Sequence, residues 1–360
     1  MTVVWEDVQM PDSRKVVPPS AVEPILHRAA RMEDALHAFR EKRARKRGLV
    51  PTIVPYTGYG SPGWARVLCR VLLTRTGSLE GEGSVDVRGW RSFTSAPVDR
   101  AEVEVRLGGV VHVVTADRGG VVDARLECDL EPGWHLATLT TEGSRPVEAP
   151  IQVVAPDARF GVVSDIDDTV MVTALPRPLL AAWNTFVLNE HARRPVAGMA
   201  VLYERLRDQH PGCPVVYLST GAWNVAPTLS RFLSRNLYPA GALLLTDWGP
   251  THDRWFRSGQ QHKHESLRRL AADFPDLRWL LVGDDGQHDE ELYGSFLREH
   301  PEHVAAVAIR QLSASEAVLA GGRSRAEQAG SPGTPWVSAT DGAGLWEQLL
   351  RTDVARGARD

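Results

Sequence analysis

The sequence predicts an α/β fold built on a parallel sheet, preceded by an antiparallel β-sandwich. Three observations predict it. Short apolar runs end abruptly in polar residues at 160–165, 214–218 and 277–282, the pattern of strands buried on both faces of a parallel sheet. Helical periodicity fills the stretches between them. Before them, from about 52 to 155, the apolar residues instead recur with period two and are punctuated by Gly-Gly and Pro-Gly turns.

Parallel sheets place ligands outside the carboxyl ends of their strands. The first run, Phe160-Gly-Val-Val-Ser, ends in Asp165, Asp167 and Asp168, followed by Thr169. Residues on an extended chain alternate sides, so Asp165 and Asp167 can enter one crevice while Asp168 is directed elsewhere. Two carboxylates forced together repel, and either a raised pKa or a bound cation must relieve them, most simply a hard divalent cation. An acidic turn that caps a following helix is the plain alternative.

The second run, Pro214-Val-Val-Tyr-Leu, ends in Ser219, Thr220 and Gly221. If a helix opens around Asn224, the Ser219 hydroxyl and the following amides form a small anion cradle. The third run leads into Gly283-Asp284-Asp285-Gly286-Gln-His-Asp289. Between them, Gln261-His-Lys263-His-Glu265 opens a helical pattern with Lys263 in its first turn, against the helix dipole, which points to a nearby anion. Each residue has an ordinary reading beside this one: Ser219 as a cap, Lys263 as a solvated lysine, Asp285 and Asp168 as turn residues.

In this order the four segments resemble the motifs of the haloacid dehalogenase superfamily of aspartyl-phosphate phosphohydrolases. Within it, Asp165-Ile-Asp-Asp-Thr-Val170, Tyr217 to Asn224, His262-Lys263 and Gly283 to Asp289 are similar to the actin-patch-associated phosphatidate phosphatase catalytic domain family. The likeness covers about residues 155 to 312, with a weaker echo at Pro55 to Pro62; Thr220-Gly221 departs from the serine or asparagine and proline expected there. The resemblance implies a Rossmann-like sheet with a small cap, and a Mg²⁺-dependent phosphatase. In it, Asp165 is the nucleophile and Asp167 the general acid and then base. Ser219 and Lys263, with Thr220 and Gly221, hold the phosphoryl group. Asp165, the backbone carbonyl of Asp167, and Asp284 hold the metal, and Asp285 and Asp289 support them. By the same resemblance the segment after the first motif, Pro178 to Leu188, is a candidate flap that selects substrate, while its apolar pattern also suits a core helix.

His252, His262, His264 and His288 lie near these motifs without the spacing of a zinc site, and read as surface or hydrogen-bonding groups. With 360 residues, 43% hydrophobic and 24% charged, the chain has material for more than one domain; a net charge of −4 offers no global attraction to nucleic acid. Its three cysteines read as buried free thiols in a reducing compartment, and the first residues lack the basic, apolar character of a secretory signal, so the expected location is cytoplasmic.

The expected organisation is an amphipathic basic helix in 1–50, the β-sandwich in 51–155, the catalytic unit in 156–320, and a Gly/Ser-rich linker with a last helix in 321–360. Gly48 is the expected stop of the first helix. Its basic end, Arg40 to Arg47, suits the helix dipole, and more sharply would attract an anionic membrane surface. A phosphate monoester is the expected substrate, with phosphatidate or a related lipid first and a soluble ester second. A membrane- or partner-binding scaffold on a phosphatase fold is the alternative of a different class; the completeness of the four motifs favours the enzyme.

Overall fold

The computed structural model describes residues 39, 41–75, 95–172, 194–246, 252–286, 288–319 and 333–355. The expected helix up to residue 38, the candidate flap Pro178 to Leu188 and the linker 321–332 lie outside the described residues. Residues 41–46 are helical, with Arg45 paired to Glu41 at 2.8 Å one turn away, and Gly48 at φ 75 ends the helix as expected.

Strands β1 (Leu49–Ser61), β2 (Gly63–Arg75), β3 (Ala96–Pro97), β4 (Glu102–Leu107), β5 (Val110–Thr115), β6 (Val121–Cys128), β7 (Gly133–Thr141) and β8 (Val147–Val153) form one eight-stranded sheet. Its order is β3-β2-β1-β8-β7-β4-β5, with β6 also paired to β2. The period-two reading holds in β4 and β8, whereas β1 and β2, the latter carrying the run Ala65 to Leu73, are buried on both faces over most of their length. In β4, Val103, Val105 and Leu107 are buried while Glu102 and Arg106 are exposed, and Gly108 and Gly109, both at positive φ, make the tight turn to β5. The two halves meet where Gly58 to Gly60 of β1 run parallel to Ile151 to Val153 of β8. The sheet curls so that Ile53, Val67, Val71, Val105, Leu139 and Ile151 share one core.

The second sheet is six-stranded and parallel, in the order β13-β12-β9-β14-β15-β16. Its strands are β9 (Phe160–Asp165), β12 (Val215–Ala222), β13 (Ala242–Thr246), β14 (Arg278–Asp284), β15 (Val304–Arg310) and β16 (Trp336–Ala339). A two-residue pair, β10 (Met171–Val172) with β11 (Arg194–Pro195), stands outside it. Helices α1 (Met199–Gln209), α2 (Ala226–Arg235), α3 (His252–Asp273), α4 (Asp289–Glu299), α5 (Ala314–Leu319) and α6 (Gly342–Leu349) connect and flank the strands. Every residue of β9, β13 and β15 is buried, which is why these strands read as uninterrupted apolar runs. β16 was not legible in the sequence: its four residues extend the sheet, and α6 docks Leu345 and Leu349 into the core behind it.

The outer face of the β1–β2 hairpin packs on the parallel-sheet unit, so that Tyr56, Tyr59, Trp64 and Leu68 belong to the same core as the residues of β9, β12 and β14. Polar groups pin this seam. The Tyr59 hydroxyl donates to Asp273 at 3.1 Å, Arg125 reaches Asp273 at 2.8 Å while lying over the Trp64 ring, and Asp123 is shared by Arg66 and Arg269, each at 2.6 Å. Tyr56 stacks on Trp223 at 4.9 Å and donates to its carbonyl. The Pro55 to Pro62 echo is thus the strand that carries the two tyrosines of the seam. All three cysteines are buried free thiols, and burial pushes the Cys213 thiol up to about 11. Among the described residues, no helix is long and apolar enough to cross a membrane.

Candidate active site

β9 lies between β12 and β14, and all three run parallel, so their carboxyl ends present side chains to one place. Leu218 stands opposite Asp165 and Val282 opposite Ser164, which sets Gly283 at the Asp165 level and Ser219 and Asp284 just beyond it. Asp165, Asp284 and Asp289 are buried, with one carboxylate oxygen from each within 4.8 Å of the others. Lys263 closes the group: its ammonium donates to Asp165 Oδ1 at 2.6 Å and to Asp289 Oδ1 at 2.7 Å. Asp284 is fixed from both sides, since its carboxylate accepts the Gly286 amide at 2.6 Å and its own amide lies 3.4 Å from Asp289 Oδ2. Gly283 is required by this approach. A Cβ there would lie 2.7 Å from both Asp289 Oδ2 and the Tyr293 ring.

Three carboxylates against one ammonium are under-compensated, and the protonation of Asp165 and Asp284 reflects it. Burial drives the Asp165 carboxyl well above its ordinary range, Asp289 drives it further, and Lys263 opposes both. Burial likewise raises Asp284, with Asp289 and Asp165 adding repulsion. For Lys263, burial alone would favour the neutral amine, but Asp165 and Asp289 outweigh it and hold the ammonium. The relief of repulsion expected from the sequence is therefore needed here. An all-oxygen, under-compensated carboxylate group fits a hard divalent cation, and no histidine or cysteine joins it among the described residues.

Asp167 meets the second motif. Ser219 Oγ donates to Asp167 Oδ2 at 3.1 Å and accepts the Gly221 amide at 3.0 Å. Two local expectations change. β12 continues through Ala222 and α2 begins at Ala226, so Ser219 sits in a strand rather than at a helix start. The Gly221 amide is turned onto Ser219, and the carbonyls of Thr220 and Gly221 accept the Thr246 hydroxyl at 2.9 and 3.2 Å. Lys263, too, lies in the middle of the 22-residue α3 rather than in its first turn; two buried carboxylates, not a helix dipole, explain its place.

The remaining acids divide. Asp289, expected to support the ligands, is itself one of the three converging carboxylates. Asp285 faces away, its Oδ1 accepting the Leu312 amide at 2.8 Å and its amide donating to the Arg310 carbonyl at 2.9 Å. Asp168 adopts φ 57, and its amide donates to the Met171 carbonyl at 2.8 Å, closing the turn after the first motif. Of the histidines, His262 is pushed down by burial, His264 lies 3.6 Å from Glu299, and His288 precedes α4; the side chain of His252 is outside the described residues. The sequence reading overlooked two groups around the site. Tyr203 shares a 2.6 Å hydrogen bond with Ser164, whose hydroxyl also reaches the Asp165 carbonyl at 2.7 Å. Arg310 ends the buried strand β15, and its signal was visible as a lone charge closing the run Val304-Ala-Ala-Val-Ala-Ile.

Residues 160–311 match the family model described as phosphatidate phosphatase APP1, catalytic domain. Phosphatidate phosphatase APP1 of Saccharomyces cerevisiae (strain ATCC 204508 / S288c) is 27% identical over 207 residues, which is 56% of this chain and 35% of that protein. An uncharacterized protein of Schizosaccharomyces pombe (strain 972 / ATCC 24843) is 23% identical over 154 residues, 42% of this chain and 25% of that protein. The chain thus spans about a third or less of the curated relatives it matches. Among solved structures, a carbohydrate acetylesterase from Xanthomonas citri is 13% identical, covering 85% of this chain and 75% of that chain, with a TM-score of 0.31 that is too low to indicate a common fold. Residues 160–311, which carry all four motifs in order, are thus similar to the phosphatidate phosphatase APP1 catalytic domain.

Proposed function

We propose that the protein is a Mg²⁺-dependent phosphatase of lipid phosphate monoesters, with phosphatidate as the leading substrate. The observation that carries this reading is the convergence of Asp165, Asp284, Asp289 and Lys263 at the ends of adjacent parallel strands, with Asp167 and Ser219 beside them. The six-stranded sheet is then a Rossmann-like haloacid dehalogenase sheet, and the curled sheet acts as the accessory β-sandwich. The 1–50, 51–155, 156–320 and 321–360 division becomes one of labour, with β16 and α6 joining the catalytic unit.

Asp165 attacks phosphorus, forming an aspartyl-phosphate as the ester P–O bond breaks. Asp167, held by Ser219, gives its proton to the departing alkoxide and takes one from the water that hydrolyses the intermediate. Lys263 and Ser219 hold the phosphoryl oxygens, and the Thr220-Gly221 segment shapes the space beside them. Asp165, the Asp167 carbonyl and Asp284, with Asp289 in reach, would hold Mg²⁺, which neutralises charge on the transferring group. Asp285 acts at a distance by fixing the chain at Leu312.

A lipid substrate fits the family and the basic end of the first helix. A cytoplasmic enzyme would reach it at an anionic membrane surface, drawn by electrostatic attraction that salt screens over about 8 Å. A panel of phosphatidate in mixed micelles, soluble sugar and nucleotide phosphates and phosphopeptides, each with Mg²⁺ and with chelator, tests the reading. Preferential, Mg²⁺-dependent release of phosphate from phosphatidate is expected. A higher kcat/KM on a soluble ester transfers the activity to that class, and no turnover of any ester leaves only a binding scaffold.

A further inference from the structure

We propose that Arg310 is a positioning residue for the first acidic motif, locking the Asp168 turn closed and so fixing where Asp167 stands. The proposal rests on the phosphatase reading for its consequence and on geometry for its basis. Arg310 is 6% exposed and each nitrogen of its guanidinium has an acceptor: Nη1 donates to the Asp168 carbonyl at 2.8 Å, Nη2 to Glu316 at 2.7 Å, and Nε to the Thr340 carbonyl at 3.4 Å. A buried arginine is costly unless its donors are satisfied, and this one is satisfied by three separate segments. The fork is planar and rigid, so its three acceptors are held in one fixed relation.

The acceptor that matters is the Asp168 carbonyl. Asp168 is one of three non-glycine residues at positive φ among those described, a conformation that persists only where the surroundings enforce it. Two constraints enforce it: the Asp168 amide bonds Met171 from within the turn, and Arg310 takes the carbonyl from outside. Asp167 is the preceding residue and bridges to Met171 in the same turn, so the rotation held at Asp168 sets the direction from which Asp167 meets Ser219. The backbone of Arg310 acts on the other acidic loop. It stands opposite Asp284 in the β14–β15 pair, and its carbonyl accepts the Asp285 amide. One residue at a strand end therefore ties both acidic loops together, and through Thr340 and Glu316 it makes the last βα unit part of the site scaffold.

Two variants, Arg310→Lys and Glu316→Gln, test this with hydrogen exchange by mass spectrometry and with para-nitrophenyl phosphate turnover in Mg²⁺. Lysine keeps the charge but loses the fork; the glutamine variant keeps the arginine and removes the charge that orients it. In Arg310→Lys, exchange over residues 165–172 is expected to accelerate at least about tenfold while β12 and β14 retain wild-type rates, and kcat should fall about 10–100-fold with KM unchanged. Glu316→Gln should move both readouts in the same direction by less, and decides the matter if the lysine variant does not fold. Wild-type exchange over 165–172 in the folded variants, or acceleration spread evenly over the sheet, overturns the proposal. If wild type itself turns over no phosphate ester, the phosphatase reading falls, and the exchange measurement still judges the Arg310 lock.

Discussion

The helix α3 serves two clusters of acids, one near its middle and one at its end about 15 Å further on, and they are built oppositely. Around Lys263, three buried carboxylates share one cation, and Asp165 and Asp284 are pushed above their ordinary range. At the seam, Asp123 and Asp273 face three arginines and a tyrosine. There burial would raise Asp123, but Arg269 and Arg66 outweigh it and hold the carboxyl below its ordinary range. The same residue type, gathered at two places along one helix, is compensated where it fastens two sheets and left under-compensated where chemistry is expected. Unrelieved repulsion costs stability, and its concentration at strand ends is what singles out the candidate site.

The largest effect expected from breaking this contrast is at Asp165. Asp165→Asn should abolish phosphate release, because an amide cannot attack phosphorus, while raising the thermal midpoint of the metal-free protein by removing one buried charge. Phosphate release and differential scanning fluorimetry in chelator read the two. A midpoint that falls instead would mean that the carboxylates are not repelling one another.

Lys263→Met attacks the same balance from the other side. Removing the ammonium that both acids share leaves Asp165 and Asp289 uncompensated, so unfolding free energy should fall by about 3–5 kcal/mol, measured by denaturant titration. Mg²⁺ should recover part of that loss, by binding the folded state alone. Indifference to Mg²⁺ would separate the carboxylates from any metal.

At the seam the effects are smaller. Asp273→Ala leaves Arg125 and Tyr59 without their shared acceptor and should cost roughly 2–3 kcal/mol. If the curled sheet steadies α3, Lys263 should also be affected, visible as faster hydrogen exchange along the helix; slow exchange there would confine the seam to docking.

The smallest expected effect is at Asp123, whose side chain is 31% exposed. Its folded-state pKa is depressed, so its contribution is present above the ordinary value of 3.8 and is lost as pH falls below it. Asp123→Asn should therefore cost about 1 kcal/mol or less at pH 7, with the gap to wild type closing below about pH 4. A gap unchanged down to pH 3 would assign the loss to packing rather than charge.

The sequence by itself determined the parallel sheet and the residues at its strand ends. Buried strands cannot alternate polarity, so Phe160 to Asp165, Val215 to Leu218 and Arg278 to Asp284 stand out as apolar runs with abrupt polar ends, and their order carried the family resemblance. The alternation of β4 and β8 was legible for the complementary reason, that only one face of each is buried. Tertiary structure alone decided the partners. Local pattern cannot say that Asp289 joins Asp165 and Asp284, that Lys263 sits mid-helix between two carboxylates, or that Asp273 meets a tyrosine more than two hundred residues earlier in the chain. It also missed β16, whose four residues are too short for a periodicity to register, and Arg310, whose role depends on a carbonyl brought to it by the fold. Periodicity records which side of an element is buried; what it is buried against is fixed only when the chain closes on itself.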